Sequence, residues 1–412
     1  MSGGTHPIRL VVTDDLRRSR VTVFFRLFLT IPHFFWLSVW SVGVVFALVA
    51  AWFAALVLGR TPRPLHHFLA GYIRYSTHVS AYLLLAANPF PGFLGHAGSY
   101  PVDLEIDEPG RQSRWMTGFR GLLVVPALLL TFAVAGSVGP AQAGSIFASG
   151  VVAFVAFLAW FAALARGRMP RGFRDLVAYA LGYSAQTYGY LFLVTDRYPN
   201  SDPERLVSSG LPPHPVRLTV EDDERRSRLT VVFRLLLALP HFVWFTLWTI
   251  VASAAGIANW LATLAAGRSP HGLHRFLTAY VRYRTHLYAF VGLIGNPFPG
   301  FTGAVGSYPI DLELDGPEPQ NRWITGFRLL LGFPAFLVAA SLETVLVVVA
   351  VLAWFAALAT GRMPHGLRNL GAYILRYSAQ TYAYGLVLTE RYPYCSPSPV
   401  EPPERIPEAV EA

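Results

Sequence analysis

The chain repeats itself at one fixed shift. Pro7-Ile-Arg-Leu-Val-Val-Thr-Asp-Asp returns as Pro215-Val-Arg-Leu-Thr-Val-Glu-Asp-Asp. Ser-Arg recurs at 19–20 and 227–228, Phe-Arg at 25–26 and 233–234, Pro-His at 32–33 and 240–241, and Asn-Pro-Phe-Pro-Gly-Phe at 88–93 and 296–301. The offset is 208 residues throughout, as from 7 to 215. Such self-similarity constrains a fold more than any single motif, because every copy must solve the same packing problem. Each half is itself a weaker duplication. Trp52-Phe-Ala-Ala-Leu pairs with Trp160-Phe-Ala-Ala-Leu, Phe25-Arg26 with Phe119-Arg120, and Gly59-Arg60 with Gly167-Arg168. The halves run over 1–206 and 207–396, with quarters at 7–99, 100–200, 215–307 and 308–394. The segment 397–412 is rich in Pro and Glu and is expected to be disordered.

Each quarter has three parts. A short segment alternates apolar and polar residues with period two, as in Ile8-Arg-Leu-Val-Val-Thr and Val102-Asp-Leu-Glu-Ile-Asp, and predicts a strand. A long apolar stretch follows and ends in Trp-Phe-Ala-Ala-Leu or its relative Trp260-Leu-Ala-Thr-Leu. Then comes Gly-Arg-x-Pro and a helix rich in Tyr, with some Arg and His. Gly ends one helix, Arg meets lipid headgroups and Pro opens the next helix.

Composition places this repeat in a membrane. Apolar residues make up 53% and charged residues 14%, with mean hydropathy +0.42. A soluble domain carries about 25% charge, and a disordered chain is poor in apolar residues. Stretches near 36–58, 145–165, 240–265 and 336–359 reach the roughly 20 apolar residues that cross a bilayer. The Tyr-rich helices qualify less clearly because they carry Arg, and can instead lie in the interface. The stretch from Phe25 to Leu58 is long for one crossing and contains Pro32. It reads as an interfacial half-helix broken at Pro32 before a span, or as a re-entrant hairpin. Extra residues around Val138-Gly-Pro-Ala-Gln-Ala-Gly leave room for a further hairpin in the second quarter. Four short strands can pair with one another only on one side of the membrane, which needs an even number of crossings per quarter. The expected fold is therefore an all-α polytopic membrane protein of about eight transmembrane helices, with a small four-stranded β cap. The strand side holds 19 arginines and the Gly-Arg-x-Pro side 10, which predicts a cytoplasmic cap.

The net charge is +9, carried by Arg without Lys. In a membrane protein this reflects loops beside anionic lipid, and nucleic acid is not an expected partner. Cys395 is the single cysteine, so neither an internal disulfide nor a cysteine metal cluster can form. The polar start followed by a long apolar run does not read as a cleavable signal.

The Tyr-rich helices carry the residues of most interest. His67, Gly71, Arg74, His78 and Tyr82 share one helical face, as do Asp175, Tyr179, Gly182, Gln186 and Tyr190. The second half repeats the stripe with Arg275, Arg282 and His286, then Asn369, Arg376 and Gln380. Charge at membrane depth costs about 2.5–3.5 kcal/mol and normally faces a partner, the bundle interior or water. Arg74, His78, Gln186, Arg282, His286, Arg376 and Gln380 are therefore candidates for a polar pathway or for an interior hydrogen-bond network. Arg26, Arg120, Arg234 and Arg328 open the four apolar stretches and are candidate contacts for headgroups or anions. His33 and His241 have no carboxylate nearby in sequence and no counterparts in the other quarters, so no metal is expected. Glu343, a lone acid in an apolar run, is expected to pair with an Arg of the stripe or to mark a bend. Asp103, Glu105 and Asp107, like Asp311, Glu313 and Asp315, share one strand face and read as a solvated face pairing with Arg9 or Arg217. No phosphate loop, dinucleotide fingerprint, zinc-protease helix or nucleophile elbow is present.

The run Pro-x-Arg-Leu, Ser-Arg, Phe-Arg-x-x-Leu-x-x-Pro-His, Trp-Phe-Ala-Ala-Leu-x-x-Gly-Arg-x-Pro resembles a bacterial family of membrane proteins catalogued as a domain of unknown function, four-three-eight-nine. The resemblance covers residues 7–394 as two tandem copies of paired quarters. It implies a multi-pass protein of the cell membrane and brings no activity, cofactor or catalytic residue. The expected function is non-enzymatic: a structural or accessory envelope protein contacting membrane lipids, with a protein partner at the cap. The alternative is a transporter or channel whose route the stripes line.

Overall fold

The computed structural model describes residues 6–136, 150–203 and 213–397. The extra residues around Val138 and the Pro/Glu-rich tail beyond residue 397 lie outside the described residues. The described chain falls into two compact units. The first runs to Ser201 and includes 395–397; the second comprises the rest.

In the first unit the elements are β1 (Ile8–Val12), α1 (Arg20–Leu58), α2 (Arg63–Leu83), β2 (Val102–Ile106), α3 (Arg114–Leu123), α4 (Val125–Ala135), α5 (Val151–Arg166) and α6 (Arg171–Leu191). In the second they are β3 (Val216–Val220), α7 (Arg228–Ala266), α8 (His271–Val291), β4 (Ile310–Leu314), α9 (Arg322–Gly326), α10 (Arg328–Thr360) and α11 (His365–Gly385).

The expected strands form, but they do not join into one cap. β1 pairs antiparallel with β2, with Leu10 opposite Leu104, and β3 pairs with β4, with Leu218 opposite Leu312. Each unit thus has its own two-stranded ribbon in place of a share in a four-stranded sheet. A bare two-stranded ribbon is marginal in water. Here the second helices support it: β2 lies against α2 and β1 against α6, and the second unit repeats this with α8 and α11.

In the first, third and fourth quarters the long apolar stretch is a continuous helix. α1 runs for 39 residues straight through Pro32, α7 for 39 through Pro240, and α10 for 33 through Pro334. Proline removes one backbone hydrogen bond without ending these helices. Neither the break nor the hairpin read at Pro32 is formed; breaks lie instead in the second quarter, where α3 and α4 meet at Val124 at 43°, and in the fourth, where Phe327 separates α9 from α10. On α1, Val23, Arg26, Thr30, His33 and Leu37 are buried at steps of three and four, and Ala47, Ala51 and Ala55 continue the stripe. Small residues there let helices approach closely.

Among the described residues three single helices are long and apolar enough to cross a membrane, or four if the bent α3–α4 pair counts as one span. The expected eight are not reached, because α2, α6, α8 and α11 do not qualify. Their Arg, His, Asn and Gln belong to helices packed inside the protein, with 15 of 21 residues of α6 buried. Such a helix owes its environment to neighbouring protein rather than to lipid.

The glycines of the Gly-Arg-x-Pro turns end their helices as expected. Gly59, Gly167, Gly267 and Gly361 end their helices with φ of 66°, 67°, 73° and 72°, a left-handed cap that only glycine adopts cheaply. A Gly59→Ala chain should lose about 1–2 kcal/mol of stability, seen as a lowered unfolding midpoint in detergent. Gly110→Ala, where an added methyl meets no atom within 4 Å, should leave it unchanged.

These turns do not lie on a side of their own. Gln112 N–H donates to Gly59 O at 2.8 Å, and Arg18 N–H donates to Gly167 O at 2.9 Å. Backbone bridges join Arg60 with Arg111, Arg17 with Arg168, and Arg225 with Arg362. The strand-side loops and the Gly-Arg-x-Pro loops are neighbours, so a count of 19 arginines against 10 compares groups that sit together and assigns no orientation. The Trp-Phe-Ala-Ala-Leu element serves the same junctions. Trp52 Nε1 donates to Thr117 O, Trp160 to Val23 O, Trp260 to Thr325 O and Trp354 to Val231 O.

Candidate functional site

The polar stripes meet the ribbons. His78 Nε2 lies 2.7 Å from Asp103 Oδ1, and Arg74 Nε donates to Leu104 O at 3.1 Å and stands 3.6 Å from the same carboxylate. The second unit repeats this: His286 is 2.9 Å from Asp311, and Arg282 donates to Leu312 O and Gly303 O. The glutamines bind the other strand. Gln186 Nε2 donates to Ile8 O at 3.1 Å while its Oε1 accepts from Asn200 N–H. Gln380 donates to Val216 O at 3.2 Å and accepts from Tyr394 N–H. Arg376 is buried with its guanidinium 5.6 Å from the centre of the Tyr373 ring. Arg74, His78, Gln186, Arg282, His286 and Gln380 thus line the seams where the second helices of each unit support its ribbon.

Asp103 and Asp311 depart from the expected solvated face. Both are buried, at 8% and 7% exposure, whereas Glu105 and Asp107 stay exposed and pair with Arg9 at 3.2 and 3.1 Å. Burial opposes the charge on Asp103. Hydrogen bonds from His78 and from Leu104 and Gly98 N–H, with the charge of His78, outweigh it and hold the carboxyl below the ordinary aspartate range. Asp311 is held low in the same way. An ionised carboxylate accepts only, so the facing His Nε2 carries the proton. His286 Nδ1 is buried without a hydrogen-bond partner among the described residues.

The four arginines of Phe-Arg are not headgroup contacts. Arg26, Arg120, Arg234 and Arg328 are each at most 2% exposed. Arg26 donates to Tyr82 O, Ala87 O and Asn88 Oδ1, and its guanidinium lies 4.3 Å above the Tyr82 ring. Arg120 grips Tyr190 O, Thr195 O and Asp196. Arg234 binds Phe290 O and Gly295 O, and Arg328 binds Thr389 O and Gln320. Each one grips carbonyls at the end of a second helix or in the turn just after it, so charge in these apolar stretches is spent inside the protein.

A second set at the same helix ends was not visible in the sequence. Leu85, Leu193, Leu293 and Val387 take φ of 64°, 60°, 60° and 61°. This conformation costs an ordinary residue roughly 1–2 kcal/mol. Each carbonyl is held by a buried side chain: Leu85 O by Arg18 Nε at 2.8 Å, Leu193 O by Gln112, Leu293 O by Arg226 and Val387 O by Gln320. Arg18 is also paired in fork fashion with Asp14 at 2.7 and 3.0 Å, and Arg226 with Asp222. The run Asp-Asp-x-x-Arg-Ser-Arg, present in both halves, was the signal for these pairs.

His33 and His241 sit apart from the seam. His33 Nδ1 is 2.6 Å from Tyr75 Oη, between the rings of Phe90 and Phe93, and His241 repeats this with Tyr283. Glu343 pairs with Arg284 and Ser378; this arginine neighbours the stripe without belonging to it. Among the described residues no group of three or more His, Cys, Asp and Glu side chains is placed to hold a metal ion.

What the seam offers chemically is fixed hydrogen bonding. Its donors and acceptors face strand backbone and one aspartate per ribbon, with no nucleophile beside a base. Among curated proteins and among solved structures, nothing matches the chain. The family model described as Domain of unknown function (DUF4389) matches residues 20–94, 144–201, 228–302 and 322–396, one match for each quarter. With four matches across most of its length, the chain belongs to the DUF4389 family.

Proposed function

We propose that this chain is a non-enzymatic, membrane-embedded accessory protein of the cell envelope, a rigid scaffold that holds a small ribbon in each unit for a protein partner. The observation that carries this reading is the occupancy of the stripes. His78 and His286 are 1% and 0% exposed, and the Arg and Gln of the same seams are spent on strand carbonyls. A transport route needs polar groups facing water; a scaffold needs them satisfied by neighbours. The exposed edge of the ribbon, with Arg9 between Glu105 and Asp107, supplies mixed charge suited to a polar partner surface. No cofactor, metal or nucleic acid enters this reading.

The purified chain in sealed liposomes should show no ion flux above that of protein-free liposomes. The conservative variants His78→Gln and His286→Gln should leave that baseline unchanged. A reproducible flux altered by either variant would overturn the reading in favour of a channel or transporter.

A further inference from the structure

Each unit is amphipathic from side to side rather than from end to end. In the first unit α1 starts where α5 ends, at the Arg18–Gly167 junction, and ends where α3 begins, at the Gly59–Gln112 junction. Between those junctions two faces run lengthwise. One is α1 itself, apolar from Val21 to Leu58, with Phe28, Phe35, Phe46 and Val57 each about 70% exposed. Beyond the exposed Arg20 at its start, its charged or titratable side chains, Arg26 and His33, are both turned inward. The other face is the ribbon and its flanks. From the first junction to the second it exposes Arg17, Asp15 and Thr13, then Glu105, Asp107 and Glu108.

A protein that crosses a bilayer is apolar in a belt and polar at both ends. If these two junctions lay on opposite sides of the membrane, the exposed ribbon charges linking them would have to pass through hydrocarbon. At 1.5 Å per residue a 39-residue helix is about 58 Å long. The hydrocarbon core is about 30 Å thick, so a perpendicular α1 would leave close to half its apolar surface in water. The second unit repeats the pattern: α7 shows Leu229, Val243 and Ile257 at 63–70% exposure, and the ribbon edge shows Arg217, Glu313 and Asp315. Exposed arginines stand at both ends of each long helix, Arg17 with Arg168 and Arg60 with Arg111 in the first unit. They match the charge of phospholipid headgroups.

We propose that each unit embeds its long-helix face in a single leaflet, with both ends of α1, and both ends of α7, at the same headgroup layer and the ribbon in water. The lipid leaflet is the partner of the apolar face. The arginine pairs at the junctions lie against its phosphates, and neither α1 nor α7 crosses the membrane. This rests on the membrane reading above and fixes how the chain enters the bilayer.

The test uses the full chain with Cys395→Ser and one cysteine at a time: Arg17→Cys and Glu108→Cys for the two junctions of the first unit, Arg225→Cys and Glu318→Cys for the second. Retention in alkali-washed membranes first checks the membrane reading, and a freely extracted chain sinks that reading and this proposal with it. A membrane-impermeant maleimide is then added to sealed vesicles of each orientation, with detergent-solubilised chain as the reactivity control. Both positions of a pair should label in one orientation and be protected in the other. Labelling of the two members from opposite faces, or of neither in either orientation, would overturn the single-leaflet arrangement while leaving the membrane reading intact.

Discussion

An Asp103→Ala chain is expected to lose about 3–5 kcal/mol of folding free energy, and Asp311→Ala the same. The reason is what the carboxylate leaves behind. His78 is 1% exposed, so deletion strands its buried ring N–H as well as Gly98 N–H, and it removes the carboxylate 3.6 Å from the half-buried Arg74. Asp103→Asn keeps an acceptor and should lose less than the alanine variant. The linkage to pH has a definite sign. A carboxyl held below its ordinary value stabilises the fold fully above the unfolded pKa of about 3.9, and this contribution is lost as pH falls through the lower folded value. The parent chain should therefore lose stability in acid from about pH 4 downward, more steeply than Asp103→Asn. Unfolding midpoints in detergent across pH 2–7 check this, and identical pH profiles for parent and variant would remove Asp103 from the seam.

The second large effect is expected at Arg18. Its side chain is 0% exposed and Asp14 beside it 2%, so Arg18→Ala leaves an unpaired buried carboxylate as well as free carbonyls at Leu85 and Ala86. A loss of about 3–5 kcal/mol follows, and Arg226→Ala should match it through Asp222. Lysine is not a substitute, because it lacks the planar fork that serves Asp14 and Leu85 together. The molecule itself suggests the rescue. In the second quarter Gln112 occupies the equivalent place and holds Leu193 O, while the counterpart of Asp14 is the exposed Glu108. The double variant Asp14→Asn/Arg18→Gln should therefore be more stable than Arg18→Ala alone. Losses that simply add in a double-mutant cycle would contradict this coupling.

Much of this architecture was legible in the sequence because repetition makes local signals reinforce one another. Period-two segments became strands, and Gly-Arg-x-Pro became left-handed glycine caps, since both depend on backbone preferences of nearby residues. What failed depended on tertiary partners. Strand pairing within each half, rather than across halves, follows from the helices on which the ribbons rest. Asp103 shares its sequence face with Glu105, yet that end of the ribbon lies under α2, and alternation alone does not report such cover. Arg26 and its counterparts looked interfacial because their acceptors lie more than fifty residues away, at the ends of the second helices. The expected eight spans are not confirmed, because the stripe helices spend their polar groups on protein and fall short of the apolar character a span needs.

In this reading the stripes are dry seams between helix and ribbon. Thiol accessibility tests it most directly. In a Cys395→Ser chain, single cysteines at His78 and His286 meet a small membrane-impermeant thiol reagent, with Pro62→Cys in the first Gly-Arg-x-Pro turn as the reactive control. The seam predicts no labelling at either position while the control reacts. Fast labelling at both, in a chain that remains folded, would mean water along the stripe and would contradict the account.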